Sequence, residues 1–176
     1  MHLLPHSYFG IAPIGIDRMN VAGIIRCTAE QAKDPYTTAS SFFNSDAAAS
    51  LMETLGKGRI LFDQWMCAPI PEFGIRQQPA WPQAFFIGDA AGVIPPATGN
   101  GLAMGLTSGI LAADYALKGD DTGYKRRWDQ EYRARISRGI YLHRLFLSPS
   151  LATTIPYASR LFPKLPNYCF RMTRGS

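Results

Sequence analysis

A chain of 176 residues, 47% hydrophobic and 18% charged, has the composition of a folded soluble domain, or part of a larger one, and excludes a disordered polymer. No apolar run reaches the 18 or more residues of a spanning helix, and the start, Met1-His2-Leu3-Leu4-Pro5-His6, lacks the basic and apolar regions of a secretory signal. The net charge of +5 is uneven: residues 1–124 carry 7 basic against 11 acidic side chains, residues 125–176 carry 11 against 2, and such asymmetry points either to an anionic partner or to a solvated helix face.

Taken in chain order, residues 7–14 and 19–27 read as two strands joined by a turn at Gly15-Ile16-Asp17-Arg18, a β-hairpin with Pro13 near a strand end or on an edge. Asp34-Pro35 predicts a helix start, Asp at the N-cap and Pro at the first helical position. Ser45 or Asp46 is suited to cap a second helix, 47–55, with Gly56 ending it in a left-handed conformation. Leu61 to Pro71 suggests a short strand, and residues 72–82 a loop. The continuous apolar run Ala84-Phe85-Phe86-Ile87 has the character of a buried parallel strand. Long helices are predicted from Gly101 to Leu117 and from Thr122 to Leu147, with a short one over 151–161. Cys27, Cys67 and Cys169 are odd in number and far apart, which reads as three reduced, mostly buried thiols of a cytosolic protein. His2, His6 and His143 offer no metal constellation.

Chemistry concentrates between residues 85 and 104. The expected strand ends at Gly88, where a missing side chain lets a ligand approach the backbone. Asp89 follows at the carboxyl end of that strand, the place where open α/β sheets bind ligands, and its carboxylate is suited to accept hydrogen bonds from hydroxyl groups. Pro95-Pro96 stiffen the next loop. Gly99-Asn100-Gly101 then opens a long apolar helix, whose first amides are unpaired and carry the positive end of the helix dipole.

Gly88-Asp89-Ala90-Ala91-Gly92, Pro95-Pro96 and Gly99-Asn100-Gly101 together resemble the second FAD motif of the p-hydroxybenzoate-hydroxylase-like flavoproteins, and within them the geranylgeranyl reductase branch. Tyr8 to Pro13, Met19 to Gly23 and Ala68 to Pro71 resemble the same family's substrate-domain sheet. The likeness runs from about residue 7 to about residue 147 and is most specific over 85–104. It implies that Gly88 and Asp89 meet the ribityl chain of FAD, that the backbone around Gly99, Asn100, Gly101 and Leu102 faces the pyrimidine edge of the flavin, and that Pro95 and Pro96 line its pocket. Aromatic hydroxylases of this superfamily often carry His where this chain has Gly92, which weighs against that branch.

The strand, Gly-x-Gly-x-x-Gly turn and helix that hold an FAD pyrophosphate are not in this sequence. The expectation is therefore a mixed α/β and α+β chain, a partial two-domain FAD-binding fold lacking the N-terminal βαβ dinucleotide unit. Residues 1–83 would belong to the substrate-binding sheet domain, 84–118 to the end of the FAD-binding domain, and 119–176 to a basic helical C-terminal region. The implied partners are the missing half of the FAD domain and a hydrophobic small-molecule substrate, with double-bond reduction in an isoprenoid-like lipid as the reaction. A flavin monooxygenase or halogenase is the enzymatic rival, and a non-catalytic remnant that needs a partner chain is the rival of another class. Asp17, Asp63, Glu72, Tyr8 and His6 are candidates for acid–base work that spacing does not separate, so no catalytic residue is assigned.

Phe42, Phe43, Trp65 and a stripe on the 101–117 helix (Leu102, Leu106, Ile110, Ala113, Leu117) fit core positions, and Trp128 is expected to pack its helix. Arg126, Arg127, Arg133, Arg135, Arg138 and Arg144 fall on more than one helix face. No nucleic-acid-binding module accompanies them. The basic helix leads into an apolar, aromatic stretch that includes Tyr141, Leu145, Phe146, Tyr157, Leu161 and Phe162, the composition of a peripheral membrane contact.

Overall fold

A computed structural model describes residues 1–56, 58–63, 65–70, 72–77, 81, 84–164, 168 and 171, and within the last helix only part of the side chains. The chain divides into two compact units: Met1–Pro71 with Leu145–Ala158, and Glu72–Arg144 with Ser159–Ser176. Both mix helices with small antiparallel sheets. No helix of the described residues is long and apolar enough to cross a membrane.

The first unit opens with three antiparallel strands in sequence order, β1 (His2–Leu4), β2 (Ser7–Ile14) and β3 (Arg18–Ile25). Pro5-His6 turns β1 into β2 with His6 at φ 57°, a left-handed turn position unusual for histidine. Residues 15–17, with Gly15 at φ 74°, make the expected hairpin turn between β2 and β3. β1 pairs only with Ser7 to Phe9, so β2 has a free edge at Pro13, where a missing amide is tolerated.

Helix α1 (Pro35–Phe43) begins as its sequence dictates, Asp34 Oδ1 accepting the Thr37 amide at 3.0 Å. That hydrogen bond holds the Asp34 carboxyl below its ordinary range. A 3-10 turn, Asp46–Ala48, leads into α2 (Ala49–Leu55) without a side-chain cap. Gly56 ends α2 at φ −63°, right-handed and not left-handed as expected, because a return hydrogen bond from its amide to Met52 O already closes the helix. The core beneath the sheet joins Leu4, Phe9, Ala39, Phe43, Ala48 and Leu51. Phe43 stacks on Trp65 at 4.4 Å between centroids, so the aromatic expectations here are met. From 61 to 70 the described residues form no strand. Gln64 and Pro71 lie outside the described residues. Cys27 is exposed and Cys67 half-buried with its thiol pushed up by burial, so the expectation of buried thiols fails at Cys27, which sits past the end of β3. Cys169 lies outside the described residues.

In the second unit a two-residue ladder pairs β4 (Gly74–Ile75) with β5 (Gly92–Val93), a short strand inside the expected 72–82 loop, of which Gln78 to Ala80 and Pro82 lie outside the described residues. Ala84 to Ile87 is extended but belongs to no ladder among the described residues. The expected parallel strand does not form there because none of the described residues supplies a neighbouring strand to pair with it. Helices α3 (Gly101–Ala116) and α4 (Asp121–Phe146) follow within a residue or two of expectation. Gly119 at φ 66° breaks the chain between them, and Asp120 Oδ1 accepts the Gly123 amide at 2.8 Å to start α4. Tyr124, Trp128, Tyr132 and Ile136 recur every four residues on α4 and bury one stripe against Ala91, Ile94, Met104 and Ala112. The last turn of α4 belongs to the first unit, where Phe146 meets the edge of Tyr8. Helix α5 (Pro149–Leu161) follows.

The stripe expected to bury α3 is on its outer side. Leu102, Leu106, Ile110 and Leu117 are 88, 72, 67 and 90% exposed, and Ala113 is exposed with them. The helix instead buries its small side, Met104, Ser108 and Ala112, because Gly105, Ser108 and Gly109 let the 86–90 backbone come closer than leucines allow.

Candidate functional site

Residues 86–104 form the candidate site, wholly within the second unit. The backbone runs extended to Ile87 and turns at Gly88, φ 52°, into a single 3-10 turn, Gly88–Ala90. A Cβ at 88 would be strained at that φ and 3.4 Å from Gly105 Cα, so glycine sets the turn and seats it on α3. Gly105 is one helical turn from the start of α3, which places the Gly88-Asp89 turn at that end of the helix.

Two buried side chains hold the turn. Ser108 Oγ accepts the Gly88 amide at 3.0 Å and donates to Gly105 O at 3.0 Å. The Tyr124 hydroxyl donates to Phe86 O at 2.5 Å. Burial pushes the Tyr124 phenol up to about 12, with the phenol of Tyr132 a second cause, so it stays a neutral donor at ordinary pH. The turn then presents Asp89 to solvent, with no hydrogen bond or ion pair among the described residues. Its carboxylate oxygens are therefore open to hydroxyl donors.

Past β5 the chain is pinned to α4. Gly139 makes this contact close: a Cβ there would lie 3.0 Å from Ile94 Cγ1 and from Thr98 Cγ2, and 3.4 Å from Pro95 Cδ. A 3-10 turn, Pro96–Thr98, is closed by Thr98 N–H and Thr98 Oγ1, both donating to Pro95 O, and by Gly99 N–H donating to Pro96 O at 2.9 Å. Gly99, at φ 60°, releases the chain into α3. Asn100 is buried, and no side chain caps the first turn of the helix, so the amides of Gly101, Leu102 and Ala103 have no acceptor from the helix itself.

Of the residues singled out from sequence, Asp89, Pro96, Gly99 and Leu102 are exposed, Gly88 and Gly101 are partly so, and Pro95 and Asn100 are buried. Pro95 faces α4, so only Pro96 of the proline pair offers a surface to a ligand. Among the acid–base candidates Tyr8 is buried, while His6, Asp17, Asp63 and Glu72 are exposed, and only Glu72 shares the unit that holds the site. Ser108, Tyr124 and Gly139 escaped the sequence reading. Their signals were small residues at 105, 108 and 109 and aromatics every fourth position from 124, yet neither says which loop they hold.

The described residues offer an unpartnered carboxylate, suited to hydroxyl donors, and a helix start without a side-chain cap, suited to an electron-rich group. They offer no cradle of the kind a pyrophosphate needs. No known protein family profile matches the chain, and no solved structure matches it. It is similar to the Menaquinone reductase of Mycolicibacterium smegmatis, 27% identical over 159 residues, which cover 88% of this chain and 38% of that protein. The chain thus spans well under half the length of this relative.

Proposed function

We propose that this chain is the flavin-contacting C-terminal part of an FAD-dependent oxidoreductase that reduces a double bond in a hydrophobic, isoprenoid-like lipid. The observation that carries the reading is the unpartnered Asp89 carboxylate, held out by a left-handed glycine turn at the uncapped start of α3. Similarity across 88% of the chain to a protein named Menaquinone reductase supports oxidoreductase chemistry. Asp89 would accept hydrogen bonds from the ribityl hydroxyls, the backbone of Gly99, Gly101 and Leu102 would face the pyrimidine edge, and Pro96 would line the pocket. Bound FAD would supply the hydride chemistry, while the protein orients the cofactor and keeps negative charge on the reduced ring favourable. Gly92 stands where aromatic hydroxylases of the resembling superfamily often carry histidine, which weighs against that branch. A Cβ there would meet Ile136 Cδ1 at 2.8 Å and Trp128 at 3.0 Å, leaving no room for histidine.

A dinucleotide-binding βαβ unit, in the same polypeptide or a partner chain, would complete the cofactor site and cover the exposed α3 stripe. Titration of FAD into the purified chain, alone and with the N-terminal portion of the Menaquinone reductase as a second chain, tests the proposal. Asp89→Ala should weaken binding about 10- to 100-fold, the worth of hydrogen bonds to a charged group. Binding that ignores the substitution, or no binding in either arrangement, would overturn it.

A further inference from the structure

Much of the basic charge on α4 is internally matched. Lys125 pairs with Asp121 at 3.5 Å, Arg127 with Glu131 at 3.5 Å, Arg133 with Asp129 at 2.6 Å, and Arg135 with Glu131. Glu131 is the last acidic residue of the sequence, and the 45 residues after it hold 8 arginines and lysines. At the end of α5 and beyond, Arg160, Lys164 and Arg171 are exposed and make no ion pair among the described residues. Leu161, Phe162 and Tyr168 stand between them, 64, 65 and 63% exposed. Water is a poor environment for three large exposed apolar side chains within eight residues of sequence, and no Asp or Glu follows Glu131 to quench the cations.

An anionic bilayer suits both halves of this pattern. Arginine and lysine heads reach lipid phosphates while leucine, phenylalanine and tyrosine enter the boundary between headgroups and acyl chains. A nucleic acid would use the charge and leave Leu161 and Phe162 in water. We propose that the exposed side chains Arg160, Leu161, Phe162 and Lys164, at the end of α5, dock on an anionic lipid surface. This goes beyond the flavin reading and does not rest on it, since docking requires neither cofactor nor turnover.

Flotation of the whole chain with vesicles, at low salt and without FAD, tests it. Vesicles of equal phosphatidylcholine and phosphatidylglycerol should carry the chain upward, pure phosphatidylcholine should not, and 0.5 M salt, with a Debye length of roughly 4 Å, should release it. Each cation near such a surface contributes about fivefold in partitioning, so Arg160→Gln with Lys164→Gln should lower it about 25-fold. Leu161→Ser with Phe162→Ser should also weaken it at unchanged charge. Arg133→Gln, whose charge Asp129 already matches, should change it less than about twofold. All five positions are exposed, and helical circular dichroism verifies that each variant is folded. A chain left at the bottom with anionic vesicles overturns the proposal. So does flotation indifferent to the two double substitutions, or binding to a DNA duplex that outcompetes the vesicles and ignores Leu161→Ser with Phe162→Ser.

Discussion

Tyr124 has no exposed surface, and its hydroxyl has one acceptor, the Phe86 carbonyl. Tyr124→Phe should cost about 1 kcal/mol, and up to about 3 if the carbonyl stays dry. Urea unfolding of both proteins measures it. The raised phenol makes the difference pH-dependent. Its folded value lies above the ordinary 10, so its contribution is fully present below pH 10 and is lost as pH rises to about 12. The gap between wild type and Tyr124→Phe should therefore close across that window. Gly92 is a packing position: Gly92→Ala must push on Ile136, Trp128 and the Gly74 carbonyl, the last 3.3 Å from the new methyl. Overpacking of this kind costs about 1–3 kcal/mol, visible as a lower melting midpoint. A midpoint unchanged by the methyl would show that the β4–β5 ladder can yield.

At the scale of elements, α3 carries two apolar faces, and the smaller one is buried. Ser108 satisfies the Gly88 amide, and Gly105 and Gly109 admit the extended backbone around Ile87 and Gly88, so the 86–90 segment settles on that side. Leu102, Leu106, Ile110 and Leu117 then face outward. Leu106→Gln with Ile110→Gln should leave the chain's own stability within about 0.5 kcal/mol per site, as for surface changes. A core stripe would lose about 2–5 kcal/mol per leucine truncated to alanine, so denaturant unfolding separates the two faces. Sequence pattern alone favoured the leucines because periodicity identifies an apolar face but not the neighbour available to cover it.

For the whole molecule, the exposed α3 stripe sets the expected behaviour in solution. A contiguous apolar helix face promotes association in an isolated chain. Light scattering should show self-association rising with concentration, relieved by the same Leu106→Gln, Ile110→Gln pair and unaffected by Asp89→Ala. The extended 84–87 segment, without a ladder partner among the described residues, is the second place where a further strand would join. Charge is divided as the sequence divides it, but α4 spends much of its share on its own carboxylates, leaving open cations after Arg160.

Local chemistry was legible in the sequence. Asp34-Pro35 announces α1, Gly15 a hairpin turn, Trp128 a packed face of α4, and Gly88-Asp89 a turn beside a helix start. Each depends on neighbours within a few residues, whose sterics and hydrogen bonds the chain carries with it. Which face of α3 is buried, that Pro95 turns inward while Pro96 does not, and that Ser108, Tyr124 and Gly139 hold the site loop were decided by tertiary structure alone. Those outcomes depend on which segments, distant in sequence, compete for the same surface, and packing geometry resolves that competition where periodicity cannot.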